Sequence, residues 1–288
     1  MRTVIIRIGM NQLRNLFQKG CGSIEGVHLR SARLNIISTG GGNIYLAGQV
    51  NLKHVLNVGS GSISVFGAYT PWLQIKSYGS GCVNVSGEVG IRSIVHHGRG
   101  NINIIGANSP CLEIYADGMG KIGINGNVNI KEITAKNADR VYAYPVNSFS
   151  LTAHASGNAK IGLAGYTHDL YVDTYGTTCF LGRDLCSRNA YVRAYDGSHM
   201  NVTASSKIFA TAAQNATIYF FGNPNILSPF LGGNGVILPI RSERFHSCPI
   251  VTISPYAYRD ENDLPRTYHE VAKPTPQPKA SSRFSGEG

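Results

Sequence analysis

Charge is scarce in this sequence: Asp, Glu, Lys and Arg make up 15% of its 288 residues, against about 25% in an ordinary globular domain. There is no run of about 18 apolar residues, so no segment has the length of a helix that crosses a bilayer. The apolar stretch between Arg2 and Arg7 is too short for the core of a secretory signal peptide. The hydrophobic fraction is nevertheless 42%, which excludes a chain that is disordered throughout.

Paired cysteine motifs are also missing. The six cysteines show no CxxC pair and no spacing of the zinc-binding kind. They are Cys21, Cys82, Cys111, Cys179, Cys186 and Cys248. We interpret them as small hydrophobic residues scattered through the structure, and a disulfide between Cys179 and Cys186 stays open. The sequence predicts no metal site and no cofactor.

The net charge of +10 raises the question of a nucleic-acid partner. From Pro255 onward five basic residues balance five acidic ones, so the excess lies in residues 1–254. It is spread thinly there and is densest near the N-terminus. A diffuse excess suits a solvated surface, or weak attraction to an anionic lipid or glycan, better than a groove that reads bases. We expect no specific nucleic-acid binding.

Glycine is abundant, with 34 residues, and its placement is periodic. A Gly, Asn or Asp recurs in steps of 19 or 20 residues, at a position that we call the mark. The marks assigned as structural turn residues are Gly20, Gly40, Gly59, Gly79, Gly98, Gly118, Asn137, Gly157, Gly176, Asp196 and Asn215, and the series extends to Asn234. These residue types tolerate a left-handed backbone at the lowest cost. We therefore expect each mark to be a left-handed turn position.

Apolar residues alternate on both sides of each mark, as in Ile44 with Leu46 after Gly40 and Ile36 before it. Alternation with period two is the pattern of a strand with one buried face. Eight residues after the mark a second turn recurs, at Gly48, Gly67, Gly87, Gly106, Gly126, Pro145, Gly165 and Asp184. A unit of this size cannot close its own hydrophobic face, but stacked units can. We predict an all-β fold, a single-stranded parallel β-helix or β-solenoid with about 11 coils of 19–20 residues.

The repeat fades at both ends of the chain. We expect residues 1–19 to form an N-terminal cap, with a β-rich first coil and then a short helix, and residues 20–235 to form the solenoid. Residues 236–254 are expected to cap the other end, because an uncapped solenoid exposes apolar surface and open strand edges. Residues 255–288, rich in Pro, Ser, Lys and Gly toward their end, are expected to form an extended tail.

Two segments, Val58–Gly67 and Ser77–Gly87, place Gly-Ser-Gly before alternating Ile and Val and close on Gly. This motif resembles the head GIN domain family, the heads of autotransporter adhesins, found in bacterial envelope proteins and built as β-solenoids. The resemblance spans about residues 16–236. It implies an extracytoplasmic bacterial protein with a binding or scaffold role, and it supplies no catalytic residues.

The sequence departs from that family picture because it shows neither a signal peptide nor a C-terminal translocator barrel. These features argue against self-export as an autotransporter. A chain trimmed to its mature form, or a subunit of a larger envelope assembly such as a secretion machine, explains both. We expect a location in the bacterial periplasm or at the outer membrane.

Few residues have the pattern of a catalytic or binding site. The cluster His96-His97-Gly98-Arg99 has the composition of an anion or metal site, but alternation sends its two histidines to opposite faces. Glu113 with Glu132, and Asp169 near Asp184, are the carboxylates that stacking brings closest. An exposed row of Tyr78, His97, Tyr175 and Tyr195 precedes the marks and suits sugar stacking, a protein interface, or an ordinary β-face. Stacking also makes Asp173 with Arg193, and Asp117 with Lys136, candidate ion pairs between coils.

We conclude from the sequence that this is a non-enzymatic structural or interaction protein of the bacterial envelope. It presents a rigid surface, as an adhesin-like module or as a subunit of an envelope-spanning assembly. Its expected partners are other subunits of such a complex, with the tail docked on a neighbour, or a surface glycan. The alternative is a carbohydrate-active enzyme, a polysaccharide lyase or hydrolase on a β-helix, which requires clustered carboxylates or basic residues.

Overall fold

A computed structural model describes residues 12–240, and these residues form a β-solenoid of about 12 turns in one parallel sheet. The strands are β1 (Asn15–Gln18), β2 (Ile24–Ser38), β3 (Ile44–Asn57), β4 (Ile63–Ser77), β5 (Val83–His96), β6 (Ile102–Ala116), β7 (Lys121–Ala135), β8 (Arg140–Ala155), β9 (Lys160–Thr174), β10 (Cys179–Ala194), β11 (His199–Gln214), β12 (Thr217–Phe221), β13 (Ile226–Gly233) and β14 (Val236–Pro239). The predicted fold class is confirmed. Between residues 12 and 240 no helix occurs, and so none that could span a membrane.

Each coil pairs in parallel with the next, residue on residue. Ile44 of β3 lies beside Ile63 of β4, which lies beside Val83 of β5. Register shifts near the second turn and near one further corner divide each long strand into three segments. The first segment follows the mark, the second follows the second turn, and the third leads into the next mark. Inward and outward side chains alternate within the third segment, as the burial of β10 shows.

The predicted apolar columns form the core. The Ile and Val side chains four residues before the marks and those four and six residues after them are almost completely buried. Their β-branched side chains suit extended backbone, and each column stacks on the equivalent residue of the next coil. Because the columns run on from coil to coil, one continuous core replaces the separate cores that single units are too small to build.

The reason for glycine at the marks differs from our expectation in half of the solenoid. Backbone φ is positive at Asn137 (56°), Gly157 (76°), Gly176 (82°) and Asp196 (60°), as expected. At Gly20, Gly40, Gly59, Gly79, Gly98 and Gly118 the backbone is not left-handed, so the expectation was wrong there. It was also wrong at Asn215, since the positive φ (61°) lies at Gln214.

Close stacking of the turns requires glycine where φ is not positive. A Cβ added to Gly59 would lie 2.0 Å from the carbonyl oxygen of Gly40, and one added to Gly61 would lie 1.9 Å from that of Gly42. Both are backbone oxygens of the coil before, so no side chain fits. The left-handed column instead runs through the second turn, for example at Gly67 (φ 76°) and Gly106 (φ 80°).

At the N-terminal end, β1 pairs with β2 and already forms part of the solenoid. Residues 12–19 contain no helix, and Asn15–Gln18 is a strand there, so the short helix expected late in residues 1–19 is not found in this part. The β-rich first coil expected before it falls in residues 1–11, which lie outside the described residues. At the other end, parallel pairing continues through β14, four residues past the predicted boundary at residue 235. The predicted segments 241–254 and 255–288 lie outside the described residues, and the cap and tail assignments stay predictions.

The structure answers whether Cys179 and Cys186 form a disulfide, which the sequence left open. Cys179 carries a thiol, so it forms no disulfide with Cys186. Cys21 and Cys111 are exposed thiols and Cys82 is a half-buried one. The described cysteines therefore do not share one environment, and the exposed pair differs from the buried hydrophobic role that a scattered set of cysteines usually plays.

Candidate functional site

The outward side of the third segment carries most of the exposed aromatic rings of the last coils. We call this surface the aromatic face. It comprises Tyr171, Tyr175, Tyr191, Tyr195, Phe209 and Phe230, together with the ion pair between them. Outward residues on a strand alternate with core residues, so the outward side chains form columns about 7 Å apart. Each column runs from coil to coil along the solenoid.

The first column is a stack of three rings. Tyr171, Tyr191 and Phe209 pair in register on β9, β10 and β11. Their ring centroids lie 4.9 and 5.1 Å apart, with interplanar angles of 8° and 1°. The separation matches the spacing of about 4.8 Å between neighbouring strands. The sheet itself therefore holds the rings in their stacked arrangement.

The second column is polar and centres on Asp173. Its carboxylate accepts two hydrogen bonds from Arg193, from Nε at 2.5 Å and from Nη2 at 2.7 Å. His154 Nδ1 lies 3.4 Å from the same carboxylate. The Asp173 side chain is only 13% exposed, whereas that of Arg193 is 57% exposed. The carboxylate of Asp173 raises the pKa of Arg193 above its already high usual value. The predicted ion pair between Asp173 and Arg193 is confirmed.

The third column consists of Tyr175 and Tyr195, two members of the exposed row that the sequence singled out. Their rings stack at 5.0 Å with an interplanar angle of 5°. Because the polar column lies between two aromatic columns, the guanidinium of Arg193 is flanked by tyrosines on both sides. Such a guanidinium gives up little hydration and keeps its orientation.

A concavity of about 640 Å³ lies between the first and second columns. Tyr171, Tyr191 and Phe209 line one side, and the ion pair lines the other. Ser228 and Phe230 of β13 close the end. Its volume falls within the range of about 300–1,000 Å³ that is usual for small-molecule sites. This concavity is the candidate functional site.

The two histidines of the predicted cluster point to opposite faces, as alternation predicts. His96 is completely buried and pairs with the equally buried Asp139, with Nδ1 3.1 Å from Oδ1. Its Nε2 lies 2.7 Å from the carbonyl oxygen of Gly100. A carbonyl only accepts, and the Asp139 carboxylate already accepts the backbone N–H groups of Gly118 and Gly120. Nε2 of His96 therefore donates to the Gly100 carbonyl, and Nδ1 faces the Asp139 carboxyl group.

This buried ion pair supports the turns and does not form an accessible site. Gln18 and Asn57 occupy the position of His96 on other coils, two residues before the mark. Each donates its side-chain amide to a carbonyl four residues on, at Gly22 and Gly61 respectively. His96 makes the same bond to Gly100. The side chains at this position thus donate hydrogen bonds to buried turn carbonyls that would otherwise lack a donor.

The outward histidine, His97, belongs to a second aromatic group in the middle of the solenoid. It stacks on Tyr78 at 5.2 Å with an interplanar angle of 7°, and Tyr115 tilts against its other side at 5.3 Å. Lys136, expected to pair with Asp117, instead lies over the ring of Tyr115, 5.3 Å from its centroid. Asp117 accepts a hydrogen bond from Asn137.

The carboxylate pairs expected for an enzyme are only partly assembled. Glu113 and Glu132 are neighbours in register on β6 and β7. Lys131 donates a hydrogen bond to Glu113 at 2.8 Å and thereby lowers the pKa of that carboxyl. Asp169 pairs in register with Asn189 and not with Asp184, and the Asn189 hydrogen bond lowers its pKa. A general acid of a glycosidase needs a raised pKa.

The predicted row of four residues consists of two separate stacks, Tyr78 with His97 and Tyr175 with Tyr195. The sequence analysis did not identify the column of Tyr171, Tyr191 and Phe209. A search for aromatic residues at all outward positions, one coil apart, would have found the first two members of this column. Phe209 lies only 18 residues after Tyr191, because one coil is shorter than the 19/20 rhythm. Within residues 12–240 no three His, Cys, Asp or Glu residues are grouped as metal ligands.

Comparison with known families bears on this surface. Residues 113–224 match the model of the family described as "Putative auto-transporter adhesin, head GIN domain". The resemblance inferred from the sequence is confirmed over this range. No curated protein sequence matches the chain. The matched range includes the two ring stacks and the polar column between them, and only Ser228 and Phe230 of the concavity lie beyond it.

Proposed function

We propose that this chain, whose residues 113–224 match an adhesin head family, is a non-enzymatic binding module of the bacterial cell envelope that binds through its aromatic face. The single observation that carries the proposal is the three-column arrangement around Asp173 and Arg193. An adhesin-like role fits both the matched family and the β-solenoid fold. The periplasm or the outer membrane is the proposed location.

The aromatic face has the properties of a prepared binding surface. Phe230 is 66% exposed, and Tyr171, Tyr175 and Phe209 are each exposed by more than a third. Isolated exposed rings are ordinary, but a contiguous patch usually marks an interaction site. The stacked rings have already lost their rotamer freedom on folding. A ligand therefore binds them with a smaller entropic cost than it would bind mobile side chains.

The same geometry disfavours the enzyme alternative. Asp173 is the only carboxylate among the described residues that line the concavity, and Arg193 occupies both of its oxygens. Hydrolysis of a glycosidic bond by the usual route needs two carboxyl groups that flank the bond. Glu113 and Glu132 do adjoin each other, but the lowered pKa of Glu113 is the reverse of what an acid catalyst requires.

Cell labelling tests the proposed function. We expect the fluorescently labelled full chain to bind intact cells from a panel of Gram-negative bacteria, Gram-positive bacteria and cultured epithelium. The triple variant Tyr171→Ala, Tyr191→Ala, Phe209→Ala is expected to lose at least about 10-fold in affinity, because truncated aromatic hot spots cost more than 1 kcal/mol each. Flow cytometry over a concentration series measures the change.

The matched control is the double variant Tyr45→Ala, Phe66→Ala. These two rings are also exposed, and their centroids lie 5.3 Å apart on the first segment. The control should label cells as the native chain does, and circular dichroism should show that all variants keep the β fold. Equal labelling by the triple variant and the native chain, or no labelling of any cell type, would contradict the proposal.

A specific observation also favours a role as a subunit of an envelope assembly. The last described coil exposes apolar side chains, among them Leu227, Leu231 and Leu238. Beyond β13 and β14 the described residues provide no further strand to pair with. Exposed apolar residues on the last strands that the structure describes suit contact with another subunit. The tail of residues 255–288 is proposed to dock on a neighbour. Copurification of the native protein from membranes in a large complex supports this role, and a freely soluble monomer contradicts it.

A further inference from the structure

The concavity on the aromatic face combines an ion pair that is already neutralised, a set of hydroxyl groups and exposed aromatic rings. We infer that it binds an uncharged glycan chain. This inference rests on the proposed function, because it names the ligand class of the same surface. Three properties of the concavity carry it, and each excludes a different competitor.

Charge is the first property. Asp173 and Arg193 cancel each other in formal charge, and no other Asp, Glu, Lys or Arg among the described residues lines the concavity. Two hydrogen bonds join their charged groups. An acidic glycan would have to approach Asp173, and a cationic peptide would have to approach Arg193. Neither gains from electrostatic attraction, so the concavity suits a neutral ligand.

Hydroxyl groups are the second property. Thr152, Tyr171, Tyr191, Thr211 and Ser228 each bring a hydroxyl to the lining. Every hydroxyl donates one hydrogen bond and accepts others, as the hydroxyls of a sugar do. Partial burial raises the pKa of Tyr171, so its phenol stays protonated and able to donate. A purely apolar ligand such as a lipid chain would leave these groups without partners, which costs free energy.

Aromatic surface and length are the third property. The rings of Tyr171, Tyr191, Phe209 and Phe230 offer apolar contact beside the hydroxyls, as sugar recognition requires because sugar rings have apolar C–H surfaces. The polar column continues in register from His154 to Phe230. This distance is four coils, about 19 Å at the usual spacing between strands. An extended oligosaccharide has the length to use this surface, whereas a single sugar does not.

Two treatments of the target cells test the ligand class without knowing which glycan is bound. Periodate opens the vicinal diols of sugars, so we expect it to abolish labelling of the cells by the native chain. Free glycans released from the cells by exhaustive protease digestion should compete for labelling. Competition should follow the same rule: neutral polysaccharides such as dextran, mannan and cello-oligosaccharides compete, while heparin and polygalacturonate do not.

Variants of the full chain tie the ligand class to the residues. Against the best neutral competitor, calorimetry should show at least about 10-fold weaker binding for Tyr191→Ala and about 2- to 5-fold weaker binding for Tyr191→Phe, which loses only a hydroxyl. Asp173→Asn leaves Arg193 without its counter-charge, so this variant should gain affinity for polygalacturonate. Tyr45→Ala, on the first segment, should behave as the native chain does.

The outcomes separate this inference from the proposed function. If labelling depends on the aromatic face, survives periodate and is competed by no neutral polysaccharide, the ligand is not a glycan and the inference fails while the binding module stands. If heparin or polygalacturonate competes better than every neutral polysaccharide, the neutral class is wrong. If no labelling depends on the aromatic face, the proposed function itself fails.

Discussion

Gly79→Ala is expected to lower the free energy of unfolding by about 3 kcal/mol, at the upper end of the cost of overpacking. The new Cβ would lie 1.9 Å from the carbonyl oxygen of Gly59 and 2.7 Å from that of Val58. Both oxygens belong to the backbone of the preceding coil, so relief requires the turns to move apart. Urea denaturation of the purified variant measures the loss.

Two glycines in neighbouring turns provide the control. A Cβ on Gly22 would meet no atom within 4 Å, and one on Gly41 would meet only side chains, the nearest at 3.3 Å. Gly22→Ala and Gly41→Ala should leave stability unchanged or raise it by a few tenths of a kcal/mol, because alanine restricts the unfolded chain. A loss at Gly41 equal to that at Gly79 would show that the close stacking of the turns is not the cause.

His96→Ala is expected to cost about 3–5 kcal/mol, the usual penalty for removing one partner of a buried ion pair. The Asp139 carboxylate would remain buried with only the backbone N–H groups of Gly118 and Gly120 as donors. The carbonyl of Gly100 would lose its donor as well. Thermal and urea unfolding of the variant, followed by circular dichroism, measure the effect.

Two further variants separate the contribution of the His96–Asp139 pair to stability from that of the hydrogen bond to the Gly100 carbonyl. His96→Asn should restore the bond to the Gly100 carbonyl, since Asn57 makes the equivalent bond to Gly61 at 3.1 Å. Asparagine does not form the His96–Asp139 pair, so His96→Asn should lose less stability than His96→Ala but remain less stable than the native chain. His97→Ala, one residue on but exposed, should cost less than about 1 kcal/mol. Equal stability of the alanine and asparagine variants would assign the whole effect to the ion pair.

The solenoid could be predicted from the sequence because its signal is redundant. The mark, the second turn and the apolar columns repeat in every coil, so an error at one position is corrected by its neighbours. The same repetition predicted the ion pair of Asp173 with Arg193, twenty residues apart. The helix expected before Gly20 had no such support, and Asn15–Gln18 proved to be a strand.

The conformation of the marks could not be predicted, because glycine serves two different needs there. From Gly40 to Gly118 each mark is followed two residues later by a second glycine, and both are excluded from carrying a side chain by the coil below. From Asn137 to Asp196 that second glycine is replaced, first by Asp139, and the mark is left-handed. Residue type alone does not distinguish close approach from positive φ.

Asp139 lies at the junction between the two kinds of turn, and this position explains its buried pairing with His96. Its side chain reaches back to Gly118 and Gly120 and meets His96 from two coils earlier. The intervening coil leaves room because it has a glycine there: a Cβ on Gly120 would lie 2.7 Å from the His96 ring. No spacing rule links residues 43 positions apart, so sequence reasoning treated His96 as a candidate ligand and gave Asp139 no role.

The aromatic face was only partly predictable for a related reason. A stack of outward rings needs the correct register, and the register changes where coils shorten, as between Tyr191 and Phe209. The concavity also depends on β13, whose Phe230 lies beyond the regular repeat. A sequence pattern identifies outward positions, but only the stacked coils show which rings share one surface.

Site-specific photo-crosslinking tests the central claim, that the chain binds through its aromatic face, most directly. The crosslinker benzoylphenylalanine replaces Phe209 in one full-length variant and Tyr69 in another. Tyr69 is 63% exposed but lies on the second segment, outside the aromatic face. We predict that, on irradiation with bound cells, the variant at position 209 captures cell-surface material and the variant at position 69 does not. Equal capture at both positions, or capture at position 69 alone, would contradict the claim.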